Sequence, residues 1–433
     1  MSLLPLILAA TQFTITPVLA KKQLLVEVRL DGPVSSLCVD MPGAQAAISG
    51  LESDHAYEGC FFAPKGTAYR YTVDLAALRR IRNDPDFATE LNGSWLFQDA
   101  AVLVHPAPLG ASAPLEVKFK LPKGVTVATP WDTRNDGTFV FNGAQHDAGA
   151  YVALGTLRSL GRLDFETFSA QLTLMDGPKK ATDEQLREWV RHALENVGGY
   201  YRSNPGNGTR PLHIVLAGVK GNDEAGVFGS VLRRREPSVM LLFGANATRG
   251  FERDWVATHE LFHLGNPPTT GRFPWFVEGF TTYVTELLLT RSGVQTEAEL
   301  WKGLAENFRA YCQPREGVSL QRVSDDLRKN HEWMRVYWGG ACLAWRTDVA
   351  IRVASRGTRS LDDVLRTLRS AAPLTEDALV AALDKAAGKN VASSHLAATT
   401  ELPVESLLGQ LGVGARLDDD APLAAVRSAL IAH

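Results

Sequence analysis

The chain has 433 residues, of which 45% are hydrophobic and 21% are charged, and its formal net charge is −3. A chain of this length can bury two or three separate hydrophobic cores, and this charged fraction is typical of globular proteins. A nearly balanced charge lacks the broad positive field that nucleic-acid binding requires, so we expect no nucleic-acid partner.

Residues 3–20 are mostly apolar and end at Ala20, just before two lysines. This arrangement is typical of a signal peptide cleaved after Ala20, although the usual basic residues at its start are missing. A first β-strand or a loose tail is the alternative. We expect residues 1–22 to be a signal peptide or a disordered N-terminus and the protein to be periplasmic or secreted, with a cytoplasmic location as the alternative. No later segment has 18 consecutive apolar residues, so no stable membrane span is expected.

Residues 23–175 are predicted to form a β-rich N-terminal domain that resembles a β-sandwich. Short β-branched or aromatic segments alternate there with turn residues, which is typical of sandwiches. These segments are QLLVEVRL, YRYTVDL, AAVLVHP, LEVKFKL and GTFVFNG.

The pattern changes after the turn-rich stretch at residues 175–178. Helical periodicity at 182–201 is followed by strand-like runs at 212–218 and 239–244, and nearly everything from about residue 251 onward is helical. Capping residues are expected to begin two of these helices, Thr296 with Glu299 and Ser360 with Asp363. The sequence therefore predicts an α+β multidomain protein.

The four cysteines are Cys38, Cys60, Cys312 and Cys342. No C-x-x-C pair occurs, so a cysteine zinc site is not expected. An even number fits two disulfides in an exported protein, with Cys38–Cys60 as the more plausible pair, and buried free thiols remain equally open.

The segment from His259 to His263 reads H-E-L-F-H, an H-E-x-x-H motif, in a stretch predicted to be helical and to end with Gly265 as its C′ residue. Four residues separate the histidines, so both imidazoles lie on one face and can hold one ion. Glu260 lies one position round the helix, where it can reach a water without binding the metal. The alternative is a solvated helix with two incidental histidines.

Fourteen residues intervene between His263 and Glu278, which leaves room for a loop and a second, antiparallel helix that begins at Pro274. Glu278 is then a candidate third ligand, although a surface carboxylate is the alternative. Two imidazoles and one carboxylate leave the fourth tetrahedral position open, which is typical of catalytic zinc. We expect one Zn²⁺ per chain.

These motifs resemble the gluzincin peptidases, above all the glycyl aminopeptidase family, whose pattern is approximately H-E-x-F-H-x-W-N followed by W-x-x-E-G-F-T-x-Y. The resemblance covers about residues 65–370. It implies a thermolysin-like zinc peptidase domain at 176–292, an α-helical C-terminal domain at 293–433, and a peptide or peptide-like substrate. It also implies that Glu260 is the general base and that Tyr337, 59 residues after Glu278, stabilises the oxyanion. A core aromatic is the alternative for Tyr337.

The chain departs from the family pattern at several positions. Gly265 replaces a tryptophan and Gly339 replaces a lysine. Related aminopeptidases bind the free amine of the substrate with a strand glutamate, whereas the aligned stretch here contains Gly226, Phe228 and Gly229, which we expect to line the substrate cleft. We therefore expect a zinc metallopeptidase, with an aminopeptidase of altered amine recognition or a catalytically silent binding protein of gluzincin fold as alternatives.

Overall fold

The computed structural model describes residues 10–81, 87–201, 211–233 and 237–432. The chain forms two compact units, which we call unit 1 (Met1–Glu188 and Gly206–Gly250) and unit 2 (Trp189–Pro205 and Phe251–His433). Every strand of the described ranges lies in unit 1, whereas unit 2 is built of helices. The predicted α+β class, with a β-rich N-terminal region and a helical C-terminal part, is confirmed.

Unit 1 contains four sheets. Its strands are β1 Thr11–Val18, β2 Gln23–Arg29, β3 Ser36–Cys38, β4 Ile48–Ser49, β5 His55–Tyr57, β6 Cys60–Phe62, β7 Ala68–Asp74, β8 Ala88–Leu91, β9 Ser94–Gln98, β10 His105–Pro106, β11 Pro114–Phe119, β12 Thr126–Ala128, β13 Asp132–Thr133, β14 Phe139–Asn142, β15 Tyr151–Gly155, β16 Leu157–Asp164, β17 Ser169–Met175, β18 Leu212–Val219, β19 Phe228–Leu232 and β20 Ser238–Gly244. The strand orders are β13-β14-β11-β1-β2-β7-β4, β10-β3-β6-β5, β12-β15-β9-β8 and β16-β17-β18-β20-β19.

One hydrophobic core of unit 1 joins the seven-stranded sheet to both four-stranded sheets. It contains Phe13 and Val26 from the first, Leu37 from the β3 sheet, and Trp95 and Val152 from the β9 sheet. Alternate residues of β1 and β2 are buried, as expected for strands that bury one face. A second core joins the other face of the β9 sheet to the five-stranded sheet.

Residues 1–9 of the predicted signal peptide or disordered N-terminus lie outside the described residues, which begin at residue 10. Residues 11–18, which the sequence analysis assigned to a signal peptide or a disordered N-terminus, form β1 in the middle of the seven-stranded sheet. β1 pairs with β2 antiparallel and with β11 parallel. The structure thus favours the alternative of a first strand for these residues.

The segment AAVLVHP is not the continuous strand that its composition predicts. Only its last two residues form a strand, β10. The amide groups of Val102 and Leu103 donate instead to the Asp99 carbonyl, and the amide of Val104 donates to the Tyr71 hydroxyl. These bonds satisfy a buried backbone without a β-ladder.

Unit 1 also contains α1 Leu75–Arg80 and α2 Gly143–Ala148, and α3 Asp183–Tyr201 begins in unit 1 and continues into unit 2. The remaining helices, all in unit 2, are α4 Val256–His263, α5 Pro274–Arg291, α6 Glu297–Tyr311, α7 Leu320–Asp325, α8 Leu327–Asn330, α9 Trp333–Ala354, α10 Leu361–Arg369, α11 Glu376–Ala387, α12 Val391–Ala397, α13 Val404–Gln410 and α14 Ala424–Ile431. Both predicted capping boxes are confirmed, at the starts of α6 and α10. Among the helices of the described ranges, none is both long enough and apolar enough to span a bilayer.

The four cysteines form two disulfides. Cys38 of β3 is joined to Cys60 of β6, the pair that the sequence favours, and Cys312 after α6 is joined to Cys342 of α9. The alternative of buried free thiols is therefore wrong.

Candidate metal centre

The H-E-x-x-H motif lies in α4, a short helix whose last residue is His263. Each histidine has a ring nitrogen, and Glu260 a carboxylate oxygen, within 4.8 Å of one another. The indole ring of Trp255 stacks on His259, with ring centroids 4.0 Å apart. Gly265 follows the helix as predicted, but it does not adopt the left-handed conformation of a C′ glycine. A Cβ at this position would lie 2.2 Å from the Tyr201 ring, so packing explains the glycine.

Helix α5 brings Glu278 to the two histidines. Pro274 occupies its first turn, as the sequence predicts. Oε2 of Glu278 lies 3.5 Å from Nε2 of His259 and 3.4 Å from Nε2 of His263, and all three side chains are almost fully buried. Ligand atoms on a tetrahedral zinc ion, each at roughly 2.0–2.2 Å from the metal, are about 3.3 Å apart. The spacing of the three donors therefore fits one zinc ion.

The buried Nε2 of His259 has no hydrogen-bond partner in the described part of the chain. A buried nitrogen that faces a carboxylate oxygen needs a proton or a metal ion between them, because two lone pairs otherwise oppose each other. This is the arrangement that a bound metal ion satisfies.

A hydrogen-bond network orients the ring of His263. Thr281 donates its hydroxyl proton to the Val277 carbonyl, and its Oγ1 lies 3.3 Å from Nδ1 of His263. The Asn266 amide also approaches this nitrogen, at 3.2 Å, and donates to Thr281. Thr281 can therefore accept the Nδ1 proton, which leaves the lone pair on Nε2 directed at Glu278.

Burial and neighbouring charges set the protonation states required of metal ligands. Burial lowers the pKa of His259 to about 4, so this imidazole is neutral at pH 7. Burial alone would raise the pKa of Glu278, but the imidazoles of His263 and His259 hold it well below its usual range. The centre thus presents a neutral imidazole at His259 and an ionised carboxylate at Glu278.

Tyr337 approaches the centre from α9. Its ring stacks on His259, with centroids 5.8 Å apart. Burial raises the pKa of the Tyr337 hydroxyl, and the carboxylates of Glu278 and Glu260 raise it further. The hydroxyl therefore keeps its proton and remains a hydrogen-bond donor.

Two glycines allow α9 to approach α5 closely enough for this contact. A Cβ on Gly279 would lie 2.4 Å from Cα of Gly340, and a Cβ on Gly340 would lie 2.2 Å from the Trp275 carbonyl oxygen. Each glycine is near a site residue, Gly279 directly after Glu278 and Gly340 three residues after Tyr337. The crossing of the two backbones therefore sets the position of Tyr337 relative to Glu278.

Gly339, which replaces the lysine of the family pattern, also lies in a close contact. A Cβ on Gly339 would lie 3.0 Å from Leu320.

The three predicted substrate-binding residues lie in unit 1, whereas the metal centre lies in unit 2. Phe228 begins β19 and pairs with Leu242, Gly229 is buried, and Gly226 precedes the strand. β19 is the edge strand of the five-stranded sheet.

Sequence reasoning missed two residues that shape the centre. Trp255 stacks on His259, and Thr281 contacts His263. Thr281 lies three residues after Glu278 on the same helix, and that spacing places both side chains on one face of the helix. Trp255 lies four residues before His259, and the same helical rule applies.

Comparisons with known proteins show one family match and several similar folds. The family model of the M61 glycyl aminopeptidase matches residues 259–341, from the first histidine to just beyond Tyr337. No curated protein matches the chain by sequence.

Solved structures resemble nearly the whole chain. An aminopeptidase N family protein from Idiomarina loihiensis has a TM-score of 0.74 at 17% identity, covering 93% of this chain and 78% of that one. An M1 zinc metallopeptidase variant from Deinococcus radiodurans, bound to a Tyr-Ser-Ala substrate, has a TM-score of 0.56 at 13% identity, covering 92% and 95%. Aminopeptidase A from Legionella pneumophila, in complex with aspartic acid, has a TM-score of 0.52 at 12% identity, covering 91% and 49%. Residues 259–341 therefore resemble the M61 glycyl aminopeptidase family, and the fold of the chain is similar to that of the M1 zinc metallopeptidases. The gluzincin resemblance that the sequence indicates is confirmed.

Proposed function

We propose that the protein is a zinc-dependent metallopeptidase whose catalytic zinc ion is held by His259, His263 and Glu278. The observation that carries this proposal is the convergence of two imidazole Nε2 atoms on one oxygen of Glu278, at 3.5 and 3.4 Å. Two nitrogens and one carboxylate form the ligand set of open, catalytic zinc sites. The family match over residues 259–341 supports the same reaction.

When bound, zinc supplies a Lewis acid that polarises a peptide carbonyl and makes water easier to deprotonate. Glu260 follows His259 directly, and one of its carboxylate oxygens lies within 4.8 Å of a ring nitrogen of each histidine. This carboxylate can therefore take a proton from the attacking water. The same carboxylate can then pass that proton to the leaving amine. Tyr337, whose hydroxyl stays protonated, donates a hydrogen bond to the oxyanion of the tetrahedral intermediate.

We propose further that peptide or peptide-like substrates bind along β19, the edge strand that begins at Phe228. An edge strand offers backbone groups to an extended peptide, and Phe228 offers an apolar surface. The stretch from Gly226 to Ser230 contains no carboxylate to pair with a free amine. A buried ammonium without an anion is costly, so a free N-terminus is not required under this proposal.

A competing proposal is an aminopeptidase with altered amine recognition. The aminopeptidase names of the structural relatives favour it, and the exposed carboxylates of Asp223 and Glu224 precede β19. The two proposals differ in whether a blocked N-terminus abolishes cleavage.

We also propose that the protein functions in the periplasm or outside the cell, with the cytoplasm as the alternative. The two disulfides support this proposal, because disulfides persist in oxidising compartments.

The decisive experiment combines metal analysis with peptide cleavage in the Glu260→Gln and His263→Ala variants. We expect Glu260→Gln to keep its zinc and lose hydrolysis by several orders of magnitude, because only the proton acceptor is removed. We expect His263→Ala to lose one equivalent of zinc together with activity. Near wild-type turnover by Glu260→Gln would refute its role, and a metal content unchanged by His263→Ala would refute the site.

A further inference from the structure

A second group of metal-ligating side chains lies in unit 1. It contains Asp40 after β3, His105 of β10 and His146 of α2, each with one ligand atom within 4.8 Å of the others. Oδ1 of Asp40 lies 3.0 Å from Nε2 of His105, and its Oδ2 lies 3.4 Å from Nε2 of His146. These distances resemble those of the α4 and α5 centre and the spacing of about 3.3 Å expected on a tetrahedral ion.

The other nitrogen of each ring already has an acceptor. Nδ1 of His146 lies 3.1 Å from Oδ2 of Asp99, whose Oδ1 accepts from the backbone amides of Ala100 and Ala150. Nδ1 of His105 lies 2.9 Å from the Pro106 carbonyl oxygen, which can only accept. Both Nδ1 atoms therefore carry a proton, and each ring in its neutral form places a lone pair on Nε2. Burial opposes the charged form of His146, but the carboxylates of Asp99 and Asp40 raise its pKa, so a metal ion binds Nε2 of this ring in competition with a proton.

Both Nε2 atoms face Asp40 from a buried position. The side chains of His105 and His146 are 4% and 0% exposed, and neither Nε2 has a hydrogen bond to any residue that the structure describes. Two lone pairs aimed at a carboxylate repel it unless a proton or a metal ion lies between each nitrogen and the carboxylate. The ring centroids of His105 and His146 are 5.0 Å apart, so protonation of both rings would place two buried positive charges side by side.

We propose that Asp40, His105 and His146 form a second metal site, which binds a divalent transition-metal cation of the zinc class. Imidazole nitrogens and a carboxylate are suitable ligands for such ions. Histidines that bind a metal usually donate their second ring N–H to a carboxylate or a backbone carbonyl, and here Asp99 and the Pro106 carbonyl are placed to accept from the two Nδ1 atoms. A charge of +2 also balances the carboxylates of Asp40 and Asp99.

The fold holds the three ligands from separate elements and leaves an entrance. Strand β10 pairs His105 with Cys38 of β3, and the Cys38–Cys60 disulfide fixes β3 two residues before Asp40. The capping box at Asn142 fixes the start of the helix that carries His146. The Asp40 side chain is 40% exposed, so an ion can enter and a water can complete its coordination.

The test counts metal in full-length, untagged protein from which the α4 and α5 centre has been removed by His263→Ala. The protein is stripped with a chelator, loaded with Co²⁺ and desalted, and bound cobalt is measured by elemental analysis and visible absorption. We expect about one equivalent in this background. We expect Asp40→Asn and His105→Gln, each added to it, to weaken cobalt binding on the order of a hundredfold.

The matched control is His55→Gln in the same background, since His55 is an exposed histidine of unit 1 that stacks on Phe62. It should leave cobalt binding unchanged. The melting temperature gives a second readout, because an ion that binds only the folded protein raises it in the background and in the control but not in Asp40→Asn.

The proposal is overturned if the His263→Ala background holds no cobalt. It is equally overturned if that cobalt persists in both Asp40→Asn and His105→Gln. A second site raises the total to two metal ions per chain, whereas the sequence motifs predict one.

Discussion

The crossing of α5 and α9 predicts that Gly340→Ala destabilises unit 2. The added Cβ would lie 2.2 Å from the Trp275 carbonyl oxygen and 2.8 Å from Cα of Gly279. Ordinary contact begins near 3.4 Å, so the helices would have to separate by about 1.2 Å. Overpacking costs about 1–3 kcal/mol, and rigid backbone on the other helix places this change at the upper end. Alanine regains roughly 1 kcal/mol of helix propensity, which leaves a net loss of about 1–2 kcal/mol.

The same change should slow catalysis, because Tyr337 lies on α9 one turn before Gly340. A misplacement of about 1 Å in a catalytic group can cost up to a hundredfold in rate. We therefore expect a kcat that is 10- to 100-fold lower. The assay measures thermal unfolding, bound zinc and peptide turnover in the same preparation.

The matched control is Gly303→Ala in α6, where an added Cβ would meet nothing within 4 Å. This change should raise stability by about 0.5–1 kcal/mol and leave turnover unchanged. If Gly340→Ala is as stable and as active as Gly303→Ala, the close crossing does not position Tyr337 and the reasoning is refuted.

Three further predictions address the site and the core of unit 1. Tyr337→Phe should lower kcat by roughly 10²–10³ with a similar KM, and an unchanged kcat would remove this residue from the mechanism. The kcat/KM of a peptide should differ little from that of its N-acetylated twin; a loss of about a hundredfold on acetylation, or about 2.7 kcal/mol, would instead restore the aminopeptidase, with Glu224 or Asp223 as the next residue to mutate. Burial lowers the pKa of His213 to about 4. Between pH 6.5 and about pH 4, this histidine is therefore protonated in the unfolded chain and neutral in the folded chain. Stability is full above pH 6.5 and falls by about 2 kcal/mol by pH 5. His213→Leu should reduce the drop in melting temperature between pH 7.5 and pH 5, and an equal drop in both proteins would contradict the argument.

The candidate metal centre was predictable as a group of neighbouring side chains because its residues follow local rules. His259 and His263 are four apart on one helix, and Pro274 marks the start of the next. The group of Asp40, His105 and His146 gives no such signal, since its members lie far apart in the sequence on three different elements. Only the fold brings them together.

The N-terminal strand shows how one pattern can support two interpretations. Gln12, Thr14 and Thr16 reduce the apolar character of a signal peptide, yet they alternate with Phe13 and Ile15, which are buried. That alternation is the period of a strand with one buried face. The prediction of a continuous strand at AAVLVHP was wrong for a different reason. The segment is apolar because it is buried, but its backbone amides donate to Asp99 and Tyr71 and not to a neighbouring strand.

The helix that carries Tyr337 is also covalently tethered, through Cys342 to Cys312. The bridge closes a loop of 30 residues, and in the chain-entropy model such a cross-link stabilises the folded state by about 3.6 kcal/mol. A batch purified from a reducing cytosol would lack this tether, whereas one from an oxidising compartment would keep it. Two preparations of identical sequence would then differ in how firmly Tyr337 is held, so their specific activities should be compared only after the thiols of each have been titrated.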